Sequence, residues 1–322
     1  MLNATLLGRQ RRRKRAGLTL IELMISLVML GALGGLIIGF LLKQQRFYAG
    51  TNEILLTRTQ VRQAAVALPA DLRSISAAGG DIYAMSDTMI EFRSTFGASY
   101  LCRNDRTTSQ IAIPPQTLAK GSVLTWWTSQ PQNNDSLALY VDSTNSSAKD
   151  DSWSYHKITA TTIAFSNATP GCTSASGLMK TTDATTSNPS YNFTLSPQQS
   201  ATVSAGAAVR FFKKVHYSLY KASDGYWYLG WYDCRTSRTP VCNAIQPLAG
   251  PLRQYVAGQP QNAGLRFTYY DTLGNVTTNK LLVSRISILL QGEGIKTIQL
   301  AGGSPTTFRD SLRMDVALRN WK

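Results

Sequence analysis

Twenty consecutive uncharged residues, LMISLVMLGALGGLIIGFLL from Leu23 to Leu42, restrict this chain more than any other stretch. As a helix they match the hydrocarbon thickness of a bilayer. Six basic residues precede them with no acid interspersed: Arg9, Arg11, Arg12, Arg13, Lys14 and Arg15. That asymmetry predicts that the first fifteen residues stay on the cytoplasmic side and the residues after Leu42 cross to the other side. A secretory signal has a shorter apolar core closed by a small-x-small cleavage site. This run is too long and has no such site, so a plain signal anchor is the simplest reading. Glu22 does not fit it. A carboxylate in a spanning helix costs about 2.5–3.5 kcal/mol at the centre and less near an end, and such groups are usually partnered or functional.

The cysteines bear on the same orientation. Cys102, Cys172, Cys234 and Cys242 all follow the apolar run, and an even number there predicts disulfides in an oxidising compartment. Four cysteines admit three connectivities. The short loop RTSRTPV between Cys234 and Cys242 favours that pair, which leaves Cys102 for Cys172.

The residues around Glu22 carry a resemblance. Gly17-Leu18-Thr19-Leu20-Ile21-Glu22, behind a basic leader and ahead of an apolar run, resembles the class III signal of type IV prepilins and type II secretion pseudopilins. The resemblance implies that prepilin peptidase cuts between Gly17 and Leu18 and that Leu18 is N-methylated. It also implies that Glu22 docks on the N-terminal amine of a neighbouring subunit. Phe is commoner than Leu as the first mature residue of these families. On this reading residues 1–17 are a removed leader, 18–42 the membrane half of a helix, 43–69 its periplasmic half and 70–322 a β-rich head.

Gly31, Gly35 and Gly39 recur every four residues, with Gly34 beside them. That spacing lets helices approach closely in a bilayer, or else merely loosens the helix. Major pilins often carry a proline in this stretch, whereas here the first proline is Pro69. Beyond the membrane, Phe47, Ile54, Val61 and Leu68 recur every seven residues, flanked by Leu55 and Ala65. They predict one apolar stripe on a continuing helix, stopped by Pro69. From Leu18 to Leu68 such a helix runs roughly 75 Å.

From residue 80 onward strand signals dominate. Leu312, Met314, Val316 and Leu318 alternate on one face, as do Val209, Phe211, Val215, Tyr217 and Leu219, with Lys213 the exception. YKASDGYWYLGWY reads as a hairpin at Asp224-Gly225, and LRFTYYDTLGNVTTNKLLV as another turning near Gly274-Asn275. GSVLTWWTS, SLALYVD, ITATTIAFS and SRISILL add strands, while 142–151 and 166–202 read as polar loops. The expected fold class is α+β: a lollipop whose long helix packs its second half on an antiparallel sheet. GLRFTYYDTLGN, VSRISILLQ and LRMDVALRN resemble PilW-type minor pilins and J-type minor pseudopilins, although the Trp those families often place before the Arg-containing strand is missing.

Catalytic chemistry finds little support. His156 and His216 are the only histidines, and no G-x-S-x-G, H-E-x-x-H or phosphate-binding glycine loop occurs. No cofactor or metal is expected, and DSTNSSAKDD lacks the order of a calcium loop. From Lys43 onward there are 27 basic and 17 acidic residues. With Trp126, Trp127, Trp227, Tyr228 and Trp231 this raises nucleic-acid binding or adhesion, but strand aromatics are ordinarily core and the charge excess is mild. The resemblance implies a minor pilin that helps initiate pilus assembly, with the tip as a candidate position. Its implied partners are other minor and major pilins, prepilin peptidase and the assembly platform of the bacterial inner membrane. The competing readings are a type II secretion minor pseudopilin and a signal-anchored periplasmic adhesion or binding protein.

Overall fold

The computed structural model describes residues 19–142, 151–164, 171–173, 176–180, 182–234, 245–299 and 304–318. One helix, α1 (Leu20–Leu72), of 53 residues, precedes every strand. At 1.5 Å per residue it is about 80 Å long. The head is antiparallel sheet: β1 (Ile82–Met85), β2 (Met89–Tyr100), β3 (Arg103–Asp105), β4 (Gln110–Ile113), β5 (Trp126–Trp127), β6 (Ser136–Val141), β7 (Ser152–Ala164), β8 (Ser190–Ser196), β9 (Ala208–Lys221), β10 (Trp227–Asp233), β11 (Ile245–Leu252), β12 (Leu265–Tyr270), β13 (Arg285–Ile298) and β14 (Thr306–Ala317). The main path runs β12-β13-β11-β10-β9-β6-β7-β8-β4-β3, with β14 on β13, and β2 joining β1, β5 and β9. This is the α+β lollipop the periodicities predict.

Strand β9 serves the two largest apolar cores of the head. Its first residues pair with β6 and its later ones with β10, while β2 follows its other edge throughout. Val209 and Phe211 therefore enter a core shared with Leu137, Leu139, Ile111 and Phe193. Val215 and Tyr217 enter a second core with Phe92, Ile286, Ile288 and the helix residues Val61, Leu68 and Leu72. Lys213, the break in the alternation, lies between the cores, its Nζ 4.9 Å from the Trp231 ring centre and 4.0 Å from Asp233. Its apolar stem follows the sheet while the ammonium meets a ring face and a carboxylate.

Several expectations are corrected. Pro69 does not stop the helix, which runs on to Leu72. A proline this close to a C-terminus forfeits one backbone bond, and complete burial of Leu68 and Leu72 offsets that loss. The helix seam against the sheet is Glu53, Thr57, Val61, Ala64, Leu68 and Leu72; it keeps Val61 and Leu68 of the seven-residue stripe, with Ile54 and Ala65 half-buried beside it, and drops Phe47 and Leu55. Phe47 and Leu55 are 70% and 57% exposed. The head reaches the helix only from Gly50 onward, so Phe47 lies beyond it, and an α-helix drifts off a strict seven-residue repeat.

The stretch 166–202 is not all loop, because Tyr191, Phe193 and Leu195 alternate into the core from β8. The segment after Gly274 does not return as a hairpin strand. Tyr270 and Val276 form one bridge, a 3-10 turn follows at Lys280–Leu282, and β12 pairs with β13 instead. The hairpin at Asp224-Gly225 is present, with Gly225 at φ 88°. Cys102 is joined to Cys172 across a sequence separation of 70. Cys234 is disulfide-bonded too, and Cys242 lies outside the described residues.

Candidate functional site: an uncovered apolar helix end and its capped carboxylate

Gly17 and Leu18 lie outside the described residues; the site begins at Thr19. Thr19 caps α1 in an extended conformation, φ −74° and ψ 149°. Its hydroxyl oxygen accepts the Glu22 N–H at 3.3 Å. The Glu22 carboxylate accepts the Thr19 backbone N–H at 3.1 Å and the Thr19 hydroxyl at 3.0 Å. Thr-Leu-Ile-Glu is thus a capping box, in which cap and carboxylate satisfy donors that a helix start otherwise leaves free. The T-x-x-E spacing signals it in the sequence, and Thr19 is the site residue that the family resemblance does not single out. The box supplies Glu22 with partners inside its own chain, so part of the cost of placing a carboxylate in an apolar phase is offset before any other subunit approaches.

From Leu20 to Leu42 the large apolar side chains are exposed, and none of the most hydropathic 18-residue window is buried. This is the one helix among the described residues long and apolar enough to cross a membrane. A side chain added at Gly31, Gly34, Gly35 or Gly39 would meet nothing within 4 Å. These glycines serve no contact within the described chain, so any close packing they permit is with another molecule.

Contact with the head starts at Gly50, where an added Cβ would lie 3.8 Å from Ile298. Glu53, 9% exposed, then fixes the helix to β13. Its Oε1 accepts the backbone N–H groups of Ile295 and Lys296, the latter at 3.1 Å. They belong to an irregular stretch where the β13–β14 register shifts between Glu293 and Thr297. The carboxylate satisfies two donors freed by that irregularity, a role that periodicity alone does not signal because it places an acid in the seam.

Several buried ionisable groups of the head are paired with one another. Arg93 pairs with Asp81 at 3.0 Å and lies 4.1 Å from the Tyr155 ring centre. Burial pushes the Asp81 carboxyl up, against the lowering effects of the Ser76 N–H and Arg93. Buried Glu91 meets Lys214 and His216, and burial holds the His216 imidazole below its ordinary range despite the Glu91 carboxylate. His156 Nδ1 donates to the Pro197 carbonyl at 2.8 Å, while Nε2 lies 3.0 Å from the Ser154 hydroxyl. Both ring nitrogens are thereby engaged in a site 5% exposed, with no carboxylate behind the ring to make a triad. Among the described residues no cluster of three or more His, Cys, Asp or Glu could hold a metal.

The aromatics raised as a nucleic-acid surface do not act as one platform. Trp127 packs edge-on against Tyr191 and Phe211, and Trp231 lies against the helix-backed core. Trp227 and Tyr228 are half-buried, whereas Trp126 is 54% exposed.

Residues 12–38 match the prokaryotic N-terminal methylation motif. No curated protein and no solved structure matches the chain. The motif covers the end of the basic leader, Gly17, Glu22 and most of the apolar run, and it supports a structural protein of the type IV pilin or pseudopilin kind. It implies processing by prepilin peptidase and association with pilus components. With the exposed apolar helix it fits anchoring in an inner membrane.

Proposed function

We propose that this chain is a minor pilin of the PilW type, a non-catalytic subunit that helps initiate type IV pilus assembly. The observation that carries the reading is the methylation motif on a helix whose first half is apolar and uncovered while its second half is the spine of a large head. A subunit held in a membrane and then drawn into a filament needs these two halves. The exposed half is soluble in lipid and can repack on neighbouring helices, where van der Waals contact replaces lipid contact. In the same reading prepilin peptidase cuts after Gly17, Leu18 becomes the N-methylated first residue, and Glu22 exchanges its capping partners for the new amine of an adjacent subunit. The head then lies in the periplasm until assembly carries it to the cell surface, where Cys102–Cys172 is stable to the oxidising surroundings.

The test is mass spectrometry of the mature amino terminus, which should show N-methylated Leu18. A chain starting at Met1, or cut elsewhere, sinks the reading. Replacing Gly17 by a bulky residue should block processing. Glu22→Ala should still be cut but enter filaments poorly, and normal incorporation would refute the docking role. Deletion separates the neighbouring reading: loss of pili and twitching supports the minor pilin, whereas loss of protein secretion with pili intact assigns the chain to type II secretion.

A further inference from the structure

Where α1 leaves the apolar run, it forms one wall of a groove of about 890 Å³. Lys43, Arg46 and Phe47 line it from the helix, and Lys296 and Ile298 line it from β13. Among the described residues, three cations and no acid line this space. The Glu53 carboxylate, the nearest acid along the helix seam, is turned to the backbone N–H groups of Ile295 and Lys296. Lys43 is the first charge after Glu22, and Arg46 follows about 4.5 Å further along the axis. The groove therefore lies at the level where the hydrocarbon ends. Phe47 and Tyr48, 70% and 61% exposed, mark the same level, as aromatic residues do at membrane–water interfaces.

We propose that this groove holds the phosphate headgroup of an anionic phospholipid, with Lys43, Arg46 and Lys296 as its cations. The acyl chains lie along the exposed apolar face of α1 below Lys43. The inference rests on the reading that α1 spans a membrane. Charge complementarity favours an anionic over a zwitterionic lipid, because three exposed cations lining one groove, with no acid among its lining residues, gain most from a net negative partner. Lys296 distinguishes a site from a mere basic collar. It lies far from the helix in sequence, and the Glu53 contacts to its backbone and to Ile295 bring β13 against the helix.

The test uses the full chain in nanodiscs of phosphatidylcholine containing phosphatidylglycerol, with the lipid held by the protein measured by native mass spectrometry. Wild type should enrich phosphatidylglycerol. Arg46→Ala and Lys296→Met should each lower that preference about fivefold, whereas Lys120→Ala, an exposed lysine elsewhere on the head, should not. The Lys296 variant keeps the backbone donor that Glu53 holds, so its circular dichroism should equal that of wild type. Equal retention of the two lipids, or a phosphatidylglycerol preference unchanged in both variants, overturns the site. Displacement of the lipid by millimolar inorganic phosphate assigns the groove to a soluble anion and overturns the lipid source. Resistance of the chain to alkaline carbonate extraction reports the spanning helix separately: a resistant protein without lipid preference refutes the groove alone, and an extracted protein refutes both.

Discussion

Gly292→Ala tests how closely the helix is seated on the sheet. A Cβ built at Gly292 lies 2.6 Å from Val61 Cγ2, 2.9 Å from Thr57 Cγ2 and 3.4 Å from the Thr57 carbonyl oxygen. Carbon atoms pack at about 3.5–4.0 Å, so helix and strand must part by about 1 Å. Neither side can yield cheaply. Gly292 pairs with Asp310 of β14 and Leu252 of β11, and Val61 and Thr57 are 1% and 2% exposed. Overpacking of this kind costs about 1–3 kcal/mol, and the closeness of the Val61 contact places Gly292→Ala in the upper half of that range. Val61→Ala alone removes two buried methyl groups and costs about 2 kcal/mol. In the double variant the new methyl enters the space left by Val61, so the two losses should fall short of additivity by about 1–2 kcal/mol. Equilibrium urea unfolding of the full chain in detergent, followed by tryptophan fluorescence, measures all four corners of the cycle. A Gly292→Ala protein as stable as wild type, or strictly additive losses, would refute the close seating.

Three further outcomes are expected. The Cys102→Ala/Cys172→Ala double variant should lose about 2–4 kcal/mol in the same unfolding assay, because it frees a loop with a sequence separation of 70 in the unfolded chain. Burial holds the His156 imidazole below its ordinary value of 6.5, against the raising effect of the Pro197 carbonyl. Its contribution is therefore full above the unfolded value and lost as pH falls through the lower folded value. His156→Gln should flatten the acid limb of the stability–pH curve below about pH 6.5, and an unchanged limb would count against a buried neutral ring. Tyr217 donates to Asp71 at 2.7 Å between β9 and the last turn of α1, so Tyr217→Phe should cost about 1.5–3 kcal/mol, as a bond to a charged group does, with no change in the far-ultraviolet spectrum.

Features carried by neighbouring residues were legible in the sequence. Twenty uncharged residues, a basic leader and an acid at a fixed distance from Gly17 specify a spanning helix and its motif, because bilayer thickness and the local Gly–Glu spacing involve no other part of the chain. The alternation of β9, that at the end of β14 from Met314 to Leu318 (Leu312 being exposed), and the Asp224-Gly225 turn were legible for the same reason, since strand period and turn chemistry are local. Even the Thr19–Glu22 box was written there, four residues long.

Tertiary packing decided the rest. Whether Phe47 or Glu53 faces the head depends on how far down the helix the sheet reaches, and only the position of Ile298 and the irregular stretch of β13 sets that. Pro69 stays helical because the core beneath Leu68 and Leu72 outweighs a lost backbone bond. β12 takes β13 as its neighbour because pairing across the 3-10 turn places Leu265, Phe267 and Ile288 in one core, a gain that appears only when distant strands meet. Lys213 looked like an error in a pattern and is the seam between two cores, since a single strand serves both. The cations of the membrane-proximal groove follow the same logic: Lys43 and Arg46 are neighbours in the chain, but Lys296 joins them only because a buried carboxylate holds β13 against the helix.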